Sequence, residues 1–195
     1  MPSKSLDNSD LKGAKLVKRI FLIIIMIGQV AGCSFSDEDK IEKLFEKAGK
    51  PESFELLYQD EIDHGLFVLY IDDSGLNHAI YSDKMKYWNV SGNSDLDPKD
   101  GFNWGMTNDP HIPIATFAGV ITNDEIKKVV VRLETLVNEA VVITTTQGRF
   151  WYTYFDDSIE SIKGLKIEAL SGDGDIIWKD GVYDGEHRYR GNTVK

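Results

Sequence analysis

The chain carries one cysteine and four histidines in 195 residues. A single cysteine excludes an intrachain disulfide and a paired-cysteine metal site, so stability has to come from core burial. The histidines, His64, His78, His111 and His187, are scattered, and no two stand at a metal-ligand spacing. There is no Gly-x-Ser-x-Gly elbow, no phosphate-cradling glycine loop and no His-Glu-x-x-His. Base is scarce beside acid: 22 Lys and Arg against 32 Asp and Glu, net −10. That balance excludes the clustered cationic face that phosphate backbones require, so no nucleic-acid partner is expected. The apolar run at residues 20–27 (IFLIIIMI) is too short for a bilayer span, which takes about 20 residues. No repeat or low-complexity tract breaks the chain.

What is present begins with a leader. Lys12, Lys15, Lys18 and Arg19 form a basic region, residues 20–27 an apolar core, and residues 28–32 trend to small side chains. This is the tripartite layout of an export signal. A buried helix is disfavoured, because eight consecutive large apolar residues leave no polar face.

The leader ends in Val30-Ala31-Gly32-Cys33. These four residues resemble the lipobox of bacterial lipoproteins at every position. The resemblance implies a diacylglycerol thioether on Cys33 and cleavage between Gly32 and Cys33, which would make residues 1–32 a signal peptide. One departure is the long region from Met1 to Arg19, as a start codon assigned too far upstream would produce. Five of the basic and two of the acidic residues lie before Cys33, leaving 17 and 30 in the remainder, net −13. Anionic lipid repels such a body, so charge cannot hold it at a membrane. Acyl chains can, at about 0.8 kcal/mol per buried methylene. The expected localisation is the extracytoplasmic face of the cell membrane, with the bilayer as a partner through acylated Cys33.

The body reads as α+β: an N-terminal helix packed on an antiparallel meander, then a mostly antiparallel, sandwich-like β half. The helix is expected over residues 36–49. Ser36 and Asp39 make a capping-box-like start, Ile41, Leu44, Phe45 and Ala48 form one stripe, and Gly49 and Pro51 stop it. Strands are expected at Phe54, Leu56 and Tyr58, at 66–71, around His78 and Ile80, and at 87–90. Residues 33–92 would form a first lobe. Residues 93–113 read as a long loop or linker. Residues 114–180 would form a β-rich second lobe, with strands at 114–121, 126–133, 140–146, 150–155, 164–170 and 176–179. Within 150–155, Phe150, Tyr152 and Tyr154 share one face, and Trp151, Thr153 and Phe155 the other. Residues 181–195 read as a polar tail.

Three constellations merit weighing. Asn93, Asp95, Asp97 and Asp100 imitate part of a calcium loop, but Pro98 stands where glycine is wanted and Trp104 where the bidentate glutamate belongs. A solvated acidic loop explains them as well. His64 beside Asp63 and near Asp60 could form an acid–base pair, although a turn histidine between acids is more often merely solvated. Phe102, Trp104 and His111 are candidate contact residues, because aromatics on a polar loop provide large area at low entropic cost. The alternative for them is a lid folded onto the core. No catalytic residue, metal site or cofactor is assigned.

Residues 87–92 (YWNVSG), 117–123 (FAGVITN) with 125–129 (EIKKV), and the aromatic strand Phe150-Trp151-Tyr152 resemble a loose group of uncharacterised small exported lipoproteins of Gram-positive bacteria. That resemblance implies no activity. The reading is therefore a non-catalytic, lipid-tethered interaction module with an envelope protein or wall component as partner. The alternatives are a small-ligand or metal-ion binder and, further off, a metal-assisted hydrolase. Cys33→Ala is expected to abolish membrane attachment. Recovery of that variant in the lipid-modified membrane fraction would overturn the lipobox reading.

Overall fold

A computed structural model describes residues 36–49, 52–63, 65–92, 94–156, 164–183 and 187–193. Of residue 182 and residues 187–193, only the backbone is described. The first compact unit ends at Lys40 and is described from Ser36; the second begins at Ile41. The described residues form one helix and thirteen strands. The strands make three antiparallel sheets, ordered β1-β2-β3-β4, β5-β6-β10-β9 and β13-β12-β11-β7-β8. The fold is β-rich with one helix near its start, as the composition suggests.

Helix α1 (Asp37–Lys47) starts where the cap residues place it. The Asp39 amide donates to Ser36 Oγ at 3.3 Å, and the Ser36 amide donates back to Asp39 Oδ2 at 3.2 Å. Beyond the helix, Gly49 takes φ +84, the left-handed conformation that ends a helix at little cost. From Ile41 onward, the helical stripe meets one face of the first sheet. Leu44 is fully buried with Leu66, Val68, Tyr70 and Tyr81, while Ile41 and Phe54 pack on the margin. Phe54 stacks on Tyr70 at 4.9 Å.

The uninterrupted apolar run of β2 (Gly65–Asp72) explains what comes next. A strand without polar alternation has two faces to bury. Leu66, Val68 and Tyr70 take the helix side. Phe67 and Leu69 turn the other way, with Ile80 of β3 (Gly75–Ser82), and meet Ala118, Val120, Phe150 and Tyr152. Those partners belong to β6 (Ala115–Ile121) and β10 (Gly148–Phe155). The core therefore runs across the boundary expected between two lobes, and the two halves share one hydrophobic cluster.

β6 is buried at every position. Its opposite face, Ala115, Phe117 and Ile121, joins Trp151 and Phe155 of β10. They pack on Val129 and Val131 of β7 (Lys128–Arg132), Ile167 and Ala169 of β11 (Lys166–Leu170), and Trp178 of β12 (Ile176–Tyr183). The alternation read from β10 holds, with Phe150 and Tyr152 in one cluster and Trp151 and Phe155 in the other.

Two expectations are corrected. Residues 93–113 are neither a free loop nor a linker. Ser94 pairs with Leu76, Phe102 bridges to Ile121, and β5 (Gly105–Asn108) pairs with β6. Short pairing segments leave too few residues for a period to show. Residues 181–195 are likewise more than a tail: β12 continues to Tyr183, and β13 (His187–Thr193) pairs with it. Their polarity suits a sheet edge, where one backbone row meets solvent.

Gly119 is required by close approach. Its neighbour chain is the 91–113 segment, where Trp151 Nε1 donates to the Asn103 carbonyl at 3.1 Å and the Val120 amide donates to Asn103 Oδ1 at 2.8 Å. A Cβ at Gly119 would lie 2.0 Å from the Asn103 carbonyl oxygen and 2.7 Å from Trp151 Nε1. Gly119→Ala is expected to cost about 1–3 kcal/mol by forcing that strand away. Thermal unfolding reads this as a drop of about 2–4 °C per kcal/mol. An unchanged melting temperature would contradict the close packing.

Candidate functional site

A cleft of about 650 Å³ lies where β1 (Glu55–Ile62), β8 (Val137–Glu139), β9 (Val141–Thr145) and β10 meet. A β-bulge sets its floor. The register of β1 on β2 slips between Leu56 and Tyr58, so Leu57 is the extra residue. As a result Leu57 and Tyr58 both pack on the core, while Leu56 is left exposed. The simple alternation Phe54, Leu56, Tyr58 read from sequence fails at that point. The slip brings Tyr58 against Tyr152, with ring centroids 5.4 Å apart and hydroxyls 3.3 Å apart. Tyr152 in turn stacks on Phe67 at 4.6 Å and donates to Asp60 Oδ2 at 2.7 Å.

Acid collects around this floor. Asp60, Glu139 and Asp156 line the cleft, and among the described residues no Lys, Arg or His does. Glu139 is paired with Lys128 at 3.0 Å on the rim. Burial, reinforced by the hydrogen bonds with Tyr58 and Asp60, pushes the Tyr152 phenol far above its usual range. Burial also raises Tyr154, with further contributions from Asp156, Asp60 and Asp63. Both phenols therefore stay protonated at neutral pH, and Tyr152 donates its proton to the Asp60 carboxylate. Asn138 Nδ2 donates to the Tyr154 carbonyl at 2.6 Å and fixes β8 across β10. On the outer side, Leu136 and Val141 are 43% and 48% exposed. Such a site can hold a cation on an apolar stem, with carboxylates as acceptors and rings and aliphatics as contact area.

The residues singled out from sequence lie elsewhere and do not form one patch. Phe102 is 3% exposed and sits between Trp151 (5.4 Å) and Trp178 (4.5 Å), so its ring belongs to the core. Trp104 is half-buried against the same cluster, and its Nε1 donates to Asp180 Oδ2 at 3.0 Å. His111 is exposed, in a turn where its amide donates to Asp109 Oδ1 at 2.8 Å. The same Asp109 accepts from the Tyr87 hydroxyl, which pushes that phenol up to about 12. Gly32, Cys33, His64 and Asn93 lie outside the described residues. In the acidic loop, Asp95 Oδ1 accepts from the Asp97 amide at 3.0 Å, an ordinary turn. Among the described residues no three His, Cys, Asp or Glu side chains gather as a metal-holding group. No described helix is long and apolar enough to cross a membrane.

Sequence reasoning missed the cleft because its residues come from three separated segments. The acids of β1 and the tyrosines of β10 are 92 positions apart at Asp60 and Tyr152. A faint signal existed in the alternating tyrosines of β10, on the face that Tyr152 and Tyr154 share. No family model, curated protein or solved structure matches the chain.

His78 is a further polar group set in the interior. It is 2% exposed, and its Nε2 has no hydrogen-bond partner among the described residues. Burial lowers it to about 3, against a smaller opposing effect of a hydrogen bond to the Thr116 backbone. Folded His78 is thus neutral, while an unfolded histidine takes up its proton near 6.5. The unfolded chain binds more protons between these values, so stability is full above about pH 6.5 and falls as pH drops, by about 1.4 kcal/mol per unit. Urea unfolding at pH 7.5 and 5.0 should show the wild type losing about 2 kcal/mol more than His78→Leu. Parallel losses in the two proteins would contradict a neutral buried imidazole.

Proposed function

We propose that this chain is a lipid-anchored, extracytoplasmic binding module, tethered through Cys33 and presenting the β1–β8–β9–β10 cleft to an envelope partner. The observation that carries the binding reading is the cleft itself: acid and tyrosines inside, and exposed Leu136 and Val141 at its rim. Exposed aliphatics grouped at a concavity mark an interaction surface. The lipobox supports the anchor, and the acidic body supports the need for one. We also read the three sheets, with their shared apolar clusters, as a sandwich-like layering that leaves the cleft on its margin. A small ligand is the second reading, favoured by the cleft volume of about 650 Å³.

Site-specific photo-crosslinking in the native membrane tests the surface. A photoreactive residue at Leu136, on the rim, should give a discrete protein adduct. The same residue at Met85, exposed in the turn between β3 and β4 (Tyr87–Val90), should give none. Asp60→Asn with Asp156→Asn should weaken the Leu136 adduct. No adduct at Leu136, or equal adducts at both positions, would overturn the reading.

A further inference from the structure

The sheets end in edges, and among the described residues one edge lacks the usual protection. A free strand edge exposes unpaired amides and carbonyls, and proteins normally guard it with charge, proline or shortness. β1 carries Glu55, Asp60 and Glu61. β4 and β5 are four residues long, and β8 is three residues with Glu139. β13 contains His187, Arg188 and Arg190. β9 is different: Val141-Val142-Ile143-Thr144-Thr145 has no charge, no proline and four β-branched neighbours for its first residue. Among the described residues it is the outermost strand of its sheet.

The hairpin shows which groups point away from β10. Thr145 pairs with Gly148 across a two-residue turn, and the register then runs Thr144–Arg149, Ile143–Phe150, Val142–Trp151, Val141–Tyr152. In such a hairpin the closing pair exchanges both hydrogen bonds, and bonding alternates from there. Val142 and Thr144 therefore direct their amides and carbonyls away from β10. Val141 shares the face of its partner Tyr152, and both line the acidic cleft. A residue added opposite Val141 would stand on that same face, one strand beyond Tyr152, about 10 Å from it and within reach of a long side chain.

Charge selects the occupant. A second copy of this chain brings a body of net −10 toward an acidic cleft and is repelled. An extended segment with lysine or arginine at alternate positions is attracted, and its apolar alternate side chains suit β9. We propose that β9 is a strand-addition site for an extended basic segment of the partner, with one lysine or arginine of that segment seated in the Asp60–Tyr152 cleft. Main-chain hydrogen bonds to Val142 and Thr144 supply the docking, and the cleft supplies the preference for a cation. This rests on the binding reading above and names its partner class.

The test uses the full chain in detergent and a fluorescent peptide alternating lysine with valine. Controls are the same peptide with prolines at alternate positions, and one with glutamate in place of lysine. Anisotropy should show the alternating lysine peptide binding at least about tenfold tighter than either control. Thr144→Pro removes an outward amide at an edge position that tolerates proline, and should weaken binding about tenfold while shifting the melting temperature by under about 2 °C. Asp60→Asn with Asp156→Asn should flatten the salt dependence. Hydrogen exchange should show bound peptide protecting the Val142 and Thr144 amides. Equal binding of the proline control, unaltered binding by Thr144→Pro, or absent protection of β9 would overturn strand addition. A Leu136 crosslink in membranes without β9 protection would refute strand addition alone, whereas loss of both would refute the cleft reading as well.

Discussion

The sheet β5-β6-β10-β9 is covered on both faces, and the remaining elements are arranged by that double burial. β6 has no exposed position, and β10 sends Phe150 and Tyr152 one way and Trp151 and Phe155 the other. Each face needs an apolar cover. The first sheet supplies one through Phe67 and Leu69, and the strands around Val129, Ile167 and Trp178 supply the other. Because the first sheet is itself apolar on both sides, it in turn needs the helical stripe around Leu44. Burial of each large side chain contributes about 1.5–3 kcal/mol, which is how a body without disulfides reaches stability.

The cleft follows from the same constraint. Tyr152 has its ring in the core against Phe67 and its hydroxyl on Asp60. A tyrosine is suited to that border, since one end is apolar and the other seeks a partner. The bulge at Leu57 turns Tyr58 into the same border. By contrast, the charged cluster on the third sheet is satisfied internally. Arg132 Nε lies 3.0 Å from Glu168, and the Tyr183 hydroxyl donates to the same carboxylate at 3.2 Å. The lysines 166 and 179 sit 4.8 Å from the Tyr183 ring. That mixed-charge cluster is closed on itself, whereas the acidic cleft faces outward with exposed aliphatics at its rim.

Local chemistry was legible in the sequence. Ser36 and Asp39 placed the helix start, Ile41, Leu44 and Phe45 its inner stripe, and the alternation in 150–155 both faces of β10. The same residues could not reveal pairing over distance. β5 is four residues of mixed polarity, recognisable as a strand only because β6 needs a neighbour. Phe102 and Trp104 looked available because a polar loop surrounds them in sequence, yet Trp151 and Trp178 enclose Phe102 in space. The cleft was hidden for a related reason: Asp60, Asn138 and Tyr152 have nothing in common until three strands bring them together.

The most direct test of the central claim, that the cleft and the β9 edge form a binding surface, is amide hydrogen exchange on the protein in its native membranes and after purification from them. The account predicts that residues 141–145 and 152–156 exchange more slowly in the membranes, with β2 and β6 unchanged between the two states. Unchanged exchange at β9, or added protection confined to the outer face of the third sheet, would contradict it.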